Sequence, residues 1–312
     1  TAQGASEIDG FKFEKFVFDA LPLAARSMIL ECLREEEFAP VKNATGVDSV
    51  DSSRELMSDL FKSWAAMRGI AVPLPEQNRA GDILFTLCGK PAAVVNRLPG
   101  SSQLQPEPVH CAALGTQLAH MHLAGQDFEH EQPNLRGLPW WNETAPLVYP
   151  HLDSAQSALL QSELAYQNHI AASAEYQALP RGPVHADLFR DNAIFEGEKL
   201  SGCFDFYFAG VDTWLFDLCV CLNDWAITHA DGLHEPQRAQ ALLDAYQAVR
   251  PLTAAERQLL PAMARAAALR YWISRLWDFY LPRQASMLTP HDPTHMERVL
   301  RGRYQQPLVL AA

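Results

Sequence analysis

The stretch His185-Ala-Asp-Leu-Phe-Arg-Asp-Asn192 decides how this sequence is interpreted. It follows Val184, so a strand is predicted to run into a loop here. Two short apolar strands come next, at 193–195 and 200–204, and the polar turn between them makes a hairpin. The hairpin returns the chain to the loop, and Asp205 follows its second strand. The pattern therefore predicts one site, built from the loop and from Asp205.

The residue types in this loop fit phosphoryl transfer from ATP. That reaction needs a carboxylate to orient the attacking hydroxyl and accept its proton, and oxygen ligands that hold Mg²⁺ against the phosphates. Asp187 fits the first role, and Asn192 and Asp205 fit the second. The order of these residues is typical of kinase catalytic loops. The alternative is a chance spacing on a surface loop, which the placement of Asp205 disfavours.

Two further residues of this region are interpreted as structural. His185 is expected to hold the loop by hydrogen bonds rather than to take part in the chemistry. Asp217 opens an apolar helix, where it either caps the helix or ties that helix to the loop.

The composition describes an acidic globular protein. The chain has 312 residues, of which 48% are hydrophobic, and this length suggests two lobes or domains. Its net charge of -12 disfavours binding to nucleic acid or to an anionic membrane surface. No apolar run approaches the ~20 residues that span a bilayer, and the polar N-terminus does not resemble a signal peptide. The six cysteines are interpreted as buried free thiols, so we expect a cytoplasmic protein.

The first hundred residues combine helical and extended patterns. Residues 14–37 and 51–68 have apolar positions at helical spacing. Residues 70–75 are extended because two prolines forbid helix. The segment 83–95 predicts a β-hairpin of two apolar strands around a glycine-containing turn. Residues 96–100 break the pattern and are interpreted as a linker.

After this linker the chain is mostly helical. A proline-rich loop is predicted to hold Trp140 and Trp141. The sequence therefore predicts an α+β fold with an N-lobe at 1–98, a C-lobe at 99–312 and a cleft between them. Helices are predicted at 107–123, 154–176, 214–228, 236–249 and 254–281.

The residues around the loop resemble the aminoglycoside-phosphotransferase and choline-kinase superfamily, which shares the protein-kinase-like fold. Longer phrases are similar to one branch of it, the bacterial homoserine kinases, over roughly residues 62–303. These phrases are Gly89-Lys-Pro-Ala-Ala93, Arg97-Leu-Pro-Gly100, His122-Leu-Ala-Gly-Gln-Asp-Phe128, Asn134-Leu-Arg-Gly-Leu138, Asp205-Phe-Tyr-Phe-Ala-Gly210, Trp214-Leu-Phe-Asp217, Asn223-Asp-Trp225, Arg275-Leu-Trp-Asp-Phe-Tyr-Leu-Pro-Arg283 and Leu288-Thr-Pro-His-Asp-Pro293.

The resemblance implies a two-lobed, protein-kinase-like fold with a small β-containing N-lobe and a larger, mostly helical C-lobe. It implies ATP and Mg²⁺ as cofactors, and phosphate transfer to the side-chain hydroxyl of L-homoserine. The product would be O-phospho-L-homoserine, on the way to threonine. Carried over by position, Asp187 would be the catalytic base, with the two metal ligands named above. The backbone of Asn96, Arg97 and Leu98 would lie at the hinge that binds adenine.

The substrate side is predicted from the charges of homoserine. Its carboxylate calls for an arginine, which binds carboxylates bidentately. Arg270 and Arg275 lie five residues apart on the last long predicted helix, so one of them is expected to face the pocket. Asn223 is a third candidate for substrate binding. The alternative is that both arginines pair with acidic residues and that the aromatic residues around them are core.

Residues 1–60 depart from the family pattern. No segment there matches the family's phosphate-covering loop, and Lys42 is the candidate for a phosphate contact, with a solvated surface lysine as the alternative. This departure keeps a pseudokinase or binding module with an impaired N-lobe open as a rival function. A second rival is a kinase for another small alcohol, such as choline, an aminoglycoside or a sugar. The sequence leaves the oligomeric state unknown.

Overall fold

The computed structural model describes residues 28–31, 72–73, 75–82, 85–87, 90–126, 128, 132–281 and 290–310. The chain divides into two compact units, one made of Thr1–Ala65 with Ala71–Pro99 and the other of Ala66–Ile70 with Gly100–Ala312. The helix predicted at 51–68 and the candidate Lys42 lie outside the described residues. That the first unit covers a nucleotide stays a prediction.

A small antiparallel sheet forms the described part of the first unit. Its strands are β1 (Met28–Glu31), β2 (Pro75–Glu76), β3 (Phe85–Leu87) and β4 (Lys90–Asn96). β4 pairs with each of the other three strands, which makes it the centre of the sheet. The pairing of β3 with β4 confirms the hairpin predicted at 83–95.

The helix predicted over 14–37 is wrong for the four residues of that span that the structure describes. Met28–Glu31 is a strand, and its register runs from Met28 opposite Asn96 to Glu31 opposite Ala93. A short apolar run fits a buried strand as easily as a helix, so periodicity alone does not separate the two. The backbone groups offered by β4 decide the outcome, because they gain partners only if this segment is extended.

Two small antiparallel sheets hold the predicted site in the second unit. One contains β5 (Ser101–Ser102), β7 (Ala193–Glu196) and β8 (Lys199–Cys203). The other pairs β6 (Arg181–Val184) with β9 (Gly210–Thr213). The loop 185–192 therefore joins β6 to β7, and the segment 204–209 joins β8 to β9. This arrangement confirms the predicted hairpin of β7 and β8.

Helices make up most of the second unit, and the five predicted helices are confirmed with small shifts at their ends. The helix predicted at 154–176 is divided in two, and the last helix has no counterpart in the prediction. The helices are α1 (Pro108–Ala124), α2 (Leu138–Val148), α3 (Ser154–Ala171), α4 (Ala174–Gln177), α5 (Trp214–Trp225), α6 (Pro236–Val249), α7 (Ala254–Tyr280) and α8 (Thr294–Gln305).

The loop predicted to hold Trp140 and Trp141 is wrong, because both residues lie in α2. Pro139 sits in the first turn of that helix, where a backbone N–H would have no helical partner in any case. Pro146 comes close to the end, and the chain passes directly into a 3-10 turn at Tyr149–His151. The prolines that suggested a loop therefore mark the two ends of a short helix.

The core of the second unit is centred on α5, whose twelve residues are all buried. α1 and α6 pack closely at Gly115, where a Cβ atom would collide with the carbonyl oxygen of Leu242. This close approach brings His122 of α1 within reach of Tyr246 of α6. In the described part of the chain, no helix has both the length and the apolar character needed to cross a membrane. The cytoplasmic location stays a prediction.

Candidate active site

The loop 185–192 is closed by its own hydrogen bonds. Phe189 N donates to Asp187 O at 2.8 Å, and Asn192 N donates to Phe189 O at 2.9 Å. The side chain of Asn192 adds a further bond, since its Nδ2 donates to the Asp187 carbonyl at 2.8 Å. Arg190 anchors the loop to α5 through a bond from its Nε to Asp224 Oδ2 of 3.1 Å. These contacts give Asp187 and Asn192 a fixed relation to each other.

Asp217 of α5 ties the start of this loop to the core. Its Oδ2 accepts the backbone N–H of His185 at 2.9 Å, and its Oδ1 accepts that of Ala186 at 2.7 Å. The N-cap of α5 is Thr213, whose hydroxyl accepts from Phe216 N at 3.3 Å. Of the two roles open from the sequence, the geometry therefore fits the tie to the loop.

A buried polar chain continues from Asp217 to the first turn of α7. His122 Nε2 lies 3.1 Å from Asp217 Oδ2, and its Nδ1 lies 2.7 Å from Tyr246 Oη. Arg250 donates to Tyr246 Oη at 2.9 Å and to Glu256 Oε1 at 2.8 Å. Burial lowers the pKa of His122, so the neutral ring donates to Asp217 and accepts from Tyr246. Burial alone would raise the pKa of Asp217, but these hydrogen bonds hold it below its ordinary value.

His185 joins the loop to the segment after β8. Its ring nitrogen Nε2 lies 3.0 Å from the carbonyl oxygen of Phe204. Phe204 N in turn donates to Asn192 O at 3.1 Å. Asp205 comes next and has a left-handed backbone, with φ of 62°. The structure therefore brings Asn192 and Asp205 to neighbouring segments, as the sequence pattern requires, and gives His185 a structural place between them.

Asp187 lies at the point where the loop meets α7. Loss of solvent raises the pKa of Asp187 to about 6, while the charge of Arg270 and a hydrogen bond from Tyr271 oppose that rise. Tyr271 Oη lies 2.7 Å from Asp187 Oδ1. The side chain is only partly buried. A carboxylate in this state can accept a proton from a bound hydroxyl at neutral pH.

Arg270 of α7 is a buried cation with incomplete hydrogen bonding. It is 2% exposed, and its guanidinium stacks on the rings of Tyr271 at 3.8 Å and Phe208 at 4.5 Å. Within the described residues, its Nε and Nη2 atoms have no hydrogen-bond partner and it forms no ion pair with a carboxylate. Buried donors are rarely left in this state unless a ligand satisfies them.

The other two predicted substrate residues are placed differently. Arg275 is half-buried on the same helix, and burial lowers its pKa. Asn223 is fully buried in α5, where its Nδ2 donates to Ala264 O at 2.8 Å. Its Oδ1 accepts from Arg303 Nε of α8, also at 2.8 Å. The side chain is enclosed by protein and bonded at both ends, so the geometry fits a structural role for Asn223.

The predicted adenine hinge falls at the end of β4. Asn96 is the last residue of that strand, Arg97 is exposed and Leu98 is 8% exposed. Their role in nucleotide binding stays a prediction.

Comparison with known proteins identifies the group to which this site belongs. The model of a phosphotransferase enzyme family (APH) matches residues 59–252. The homoserine kinase of Polaromonas naphthalenivorans is 61% identical over 245 residues, which cover 78% of this chain and 78% of that protein. The chain belongs to the homoserine kinase family. A second relative, the homoserine kinase of Cupriavidus necator, is 59% identical over 243 residues, covering 76% of this chain and 73% of that protein.

The fold of this homoserine kinase family member is shared with solved kinases. Amicoumacin kinase hAmiN, in complex with AMP-PNP, Ca²⁺ and Ami, has a TM-score of 0.59 at 14% identity, over 81% of this chain and 78% of that one. The predicted family resemblance and the α+β, kinase-like fold are confirmed. The prediction of a small-molecule kinase is confirmed as well, and the two rival functions are not favoured.

The donor set beside Asp187 fits a magnesium ion that is shared with phosphates. The bond from Asn192 Nδ2 to the Asp187 carbonyl orients the amide and leaves its oxygen as a ligand. Asp205 adds a carboxylate, and both are the hard oxygen donors that Mg²⁺ prefers. No cluster of three or more His, Cys, Asp or Glu residues suited to a metal occurs among the described residues. A metal at this family's site would therefore take its remaining ligands from phosphate and water.

Sequence reasoning gave no role to two residues that contact this site. Tyr271 was visible only as one of several aromatic residues on α7, yet its hydroxyl reaches Asp187. His122 lies within a family phrase, but its partner Asp217 is far away in sequence. The one available signal was the position of Tyr271 next to Arg270.

Proposed function

We propose that this protein transfers the γ-phosphoryl group of ATP to the side-chain hydroxyl of L-homoserine, giving O-phospho-L-homoserine in threonine biosynthesis. The observation that carries the proposal is the 61% identity to a homoserine kinase over 78% of both chains. The geometry adds support, because Asp187 lies close to Arg270, a buried cation whose Nε and Nη2 lack hydrogen-bond partners among the described residues.

Asp187 is the residue that accepts the proton. The homoserine hydroxyl attacks the γ-phosphorus of ATP, its proton passes to Asp187, and ADP leaves with the electrons of the broken bond. The position of Asp187 on a loop that is hydrogen-bonded to α5 supports this role, since phosphoryl transfer depends mainly on positioning.

Asn192 and Asp205 hold Mg²⁺ in this proposal. When bound, the ion neutralises charge on the phosphates. The backbone at Asn96, Arg97 and Leu98 binds adenine, and Lys42 contacts the phosphates. The assignments of the metal, the adenine and the phosphates to these residues rest on the family resemblance and on positions in the sequence.

Arg270 binds the carboxylate of homoserine. The two N–H groups at Nε and Nη2 belong to one planar guanidinium, which is the geometry that pairs with a carboxylate bidentately. Its aromatic neighbours exclude water and hold its plane. Arg275 adds positive charge from a half-buried position on the same helix.

An acceptor panel with Mg·ATP tests this proposal. ADP release should be fastest with L-homoserine and at least about tenfold slower with 3-aminopropan-1-ol, which lacks the carboxylate and so loses a charged hydrogen-bonded pair. Choline and an aminoglycoside, which bring only positive charge to Arg270, should give background rates. Equal rates for L-homoserine and choline would rule out homoserine as the preferred acceptor.

A further inference from the structure

Tyr271 makes two short contacts with the catalytic loop through a single hydroxyl. Its Oη lies 2.7 Å from Asp187 Oδ1 and 2.6 Å from the carbonyl oxygen of Ala186. The side chain is 4% exposed. Its ring packs against Phe189 with centroids 4.5 Å apart and against the guanidinium of Arg270. The ring contacts on Phe189 and Arg270 therefore hold the hydroxyl in place.

The Tyr271 hydroxyl has one hydrogen and two possible acceptors, so the position of that hydrogen matters. A phenol carries one hydrogen, while both neighbours of Tyr271 Oη can accept it. Burial raises the pKa of Tyr271 well above its ordinary value, so the hydroxyl keeps that hydrogen. An ionised Asp187 attracts it more strongly than a neutral carbonyl does, because bonds to charged acceptors are the stronger ones. Once Asp187 has taken up a proton, the carbonyl of Ala186 becomes an equal competitor.

The backbone beside Asp187 is also under constraint. Ala186 has φ of 60°, a left-handed conformation that costs a non-glycine residue about 1–2 kcal/mol. Its N–H donates to Asp217 of α5 at 2.7 Å, and its carbonyl oxygen lies 2.6 Å from Tyr271 Oη of α7. The two peptide groups that flank Ala186 therefore contact two different helices, and Tyr271 makes one of these contacts.

We propose that Tyr271 is a positioning residue for phosphoryl transfer, whose hydroxyl fixes Asp187 Oδ1 so that Oδ2 faces the acceptor hydroxyl. This inference rests on the proposed function, because it gives Asp187 the task of accepting the acceptor's proton. In the reaction the acceptor oxygen bonds to the γ-phosphorus, ADP leaves, and the proton moves to Asp187 Oδ2. The hydrogen of Tyr271 can then stay on Oδ1 or turn to the Ala186 carbonyl, so the hydroxyl keeps an acceptor throughout.

The variant Tyr271→Phe tests this role, because it removes only the hydroxyl and keeps the ring that packs on Phe189 and Arg270. We expect kcat to fall about 10- to 100-fold, the range in which small misplacements of reacting groups act. KM for L-homoserine and for ATP should stay within about twofold, since a group that contacts neither substrate contributes little to binding them. This split separates a positioning role from a general loss of structure.

Tyr176→Phe is the matched control. That tyrosine is partly buried in the second unit, where the guanidinium of Arg181 lies 4.9 Å from the centroid of its ring. Its kcat should equal that of the unchanged protein. A second variant carries 3-fluorotyrosine in place of Tyr271. It keeps the hydroxyl and should therefore have most of the kcat that the phenylalanine variant loses. This variant also tests the role of the hydroxyl if the phenylalanine variant folds poorly.

The inference is overturned if Tyr271→Phe keeps full kcat, or if 3-fluorotyrosine loses as much kcat as phenylalanine does. A result in which kcat and both KM values change together would also overturn it. All variants are compared on the acceptor that the panel identifies. If that acceptor is not homoserine, the proposed function fails while the test of Tyr271 stands unchanged.

Discussion

The two sides of Asp187 differ in how far the protein satisfies its own polar groups. On the side of α5, the carboxylate of Asp217 accepts two backbone N–H groups of the loop and meets His122. On the side of α7, Arg270 is equally buried, but two of its nitrogen atoms lack partners among the described residues. Both oxygen atoms of Asp217 therefore have hydrogen-bond partners, whereas two nitrogen atoms of Arg270 have none in the described part of the chain.

This difference distinguishes the residues that hold the loop in position from those that are expected to bind the substrate. A satisfied buried network fixes geometry and resists change, because each member would leave others unpaired if it were removed. A buried cation with unpaired donors lowers the stability of the free protein. An anion that binds to those donors offsets this loss of free energy. We infer that the α5 side holds the loop ready and that the α7 side is completed by the carboxylate of the substrate.

The largest effect is expected at Asp217. Asp217→Asn places an N–H group against the backbone N–H groups of the loop and removes the charge that His122 and the loop are built around. The free energy of unfolding should fall by about 3–5 kcal/mol, because three hydrogen bonds to a charged acceptor, each contributing about 1.5–3 kcal/mol, are lost or weakened. Urea titration measures this free energy.

Asp244→Asn, at an exposed site of α6, is the control and should change stability by less than about 0.5 kcal/mol. If Asp217→Asn lowered the free energy of unfolding by less than about 1 kcal/mol, the α5 side would not be the support that we infer.

A smaller effect of a different kind is expected at Arg270. Arg270→Met should lower kcat/KM for L-homoserine by about 10- to 150-fold, equivalent to a charged hydrogen bond of about 1.5–3 kcal/mol. Its Tm should hold or rise, because an apolar side chain replaces a buried charge whose Nε and Nη2 have no hydrogen-bond partner among the described residues. Steady-state kinetics measure the change in kcat/KM, and thermal melts measure the change in Tm.

The same helix offers a matched control for Arg270. Arg265 pairs with Glu163 through two nitrogen atoms and is mostly buried. Arg265→Met should therefore lower Tm and leave kcat/KM for L-homoserine unchanged, the opposite of the pattern at Arg270. If both variants lost stability and kept kcat/KM, Arg270 would be a structural arginine like its neighbour.

The smallest effect is expected at Arg275, which sharpens the comparison within α7. This residue is half-buried, and charges that water can reach contribute only about 0–1 kcal/mol. Arg275→Gln should reduce kcat/KM for L-homoserine by no more than about fivefold. Kinetics that showed a larger loss at Arg275 than at Arg270 would reverse the assignment of the two arginines.

Local sequence patterns were enough to predict the loop and its surroundings. The hairpin after residue 192 and the helices around it follow from alternation, periodicity and turn residues. The strand β1 was not recoverable in the same way, because its four residues are decided by pairing with β4. α2 was missed because its prolines argue against a helix, although Pro139 sits in the first turn, where a helix tolerates it.

The roles of single side chains were harder to predict, because their partners are distant in sequence. Asn223 was predicted as a substrate residue, and its hydrogen bond from Arg303 of α8 could not be foreseen from the sequence. Tyr271 gained its position only once α7 had packed beside the loop. Arg270 and Arg275 were both predicted as candidates, because a substrate with a carboxylate requires a cation. Their difference in burial and hydrogen bonding became visible only in the structure.

The central claim is that Asp187 drives phosphate transfer to homoserine, and one comparison tests it most directly. The unchanged protein and Asp187→Asn are incubated with Mg·ATP and L-homoserine, and the product is followed by phosphorus NMR. We predict O-phospho-L-homoserine with the unchanged protein and a kcat about 10²- to 10⁴-fold lower with the variant, the range for loss of a general base. Equal rates for the two proteins, or no phosphate ester of homoserine from either, would contradict the account.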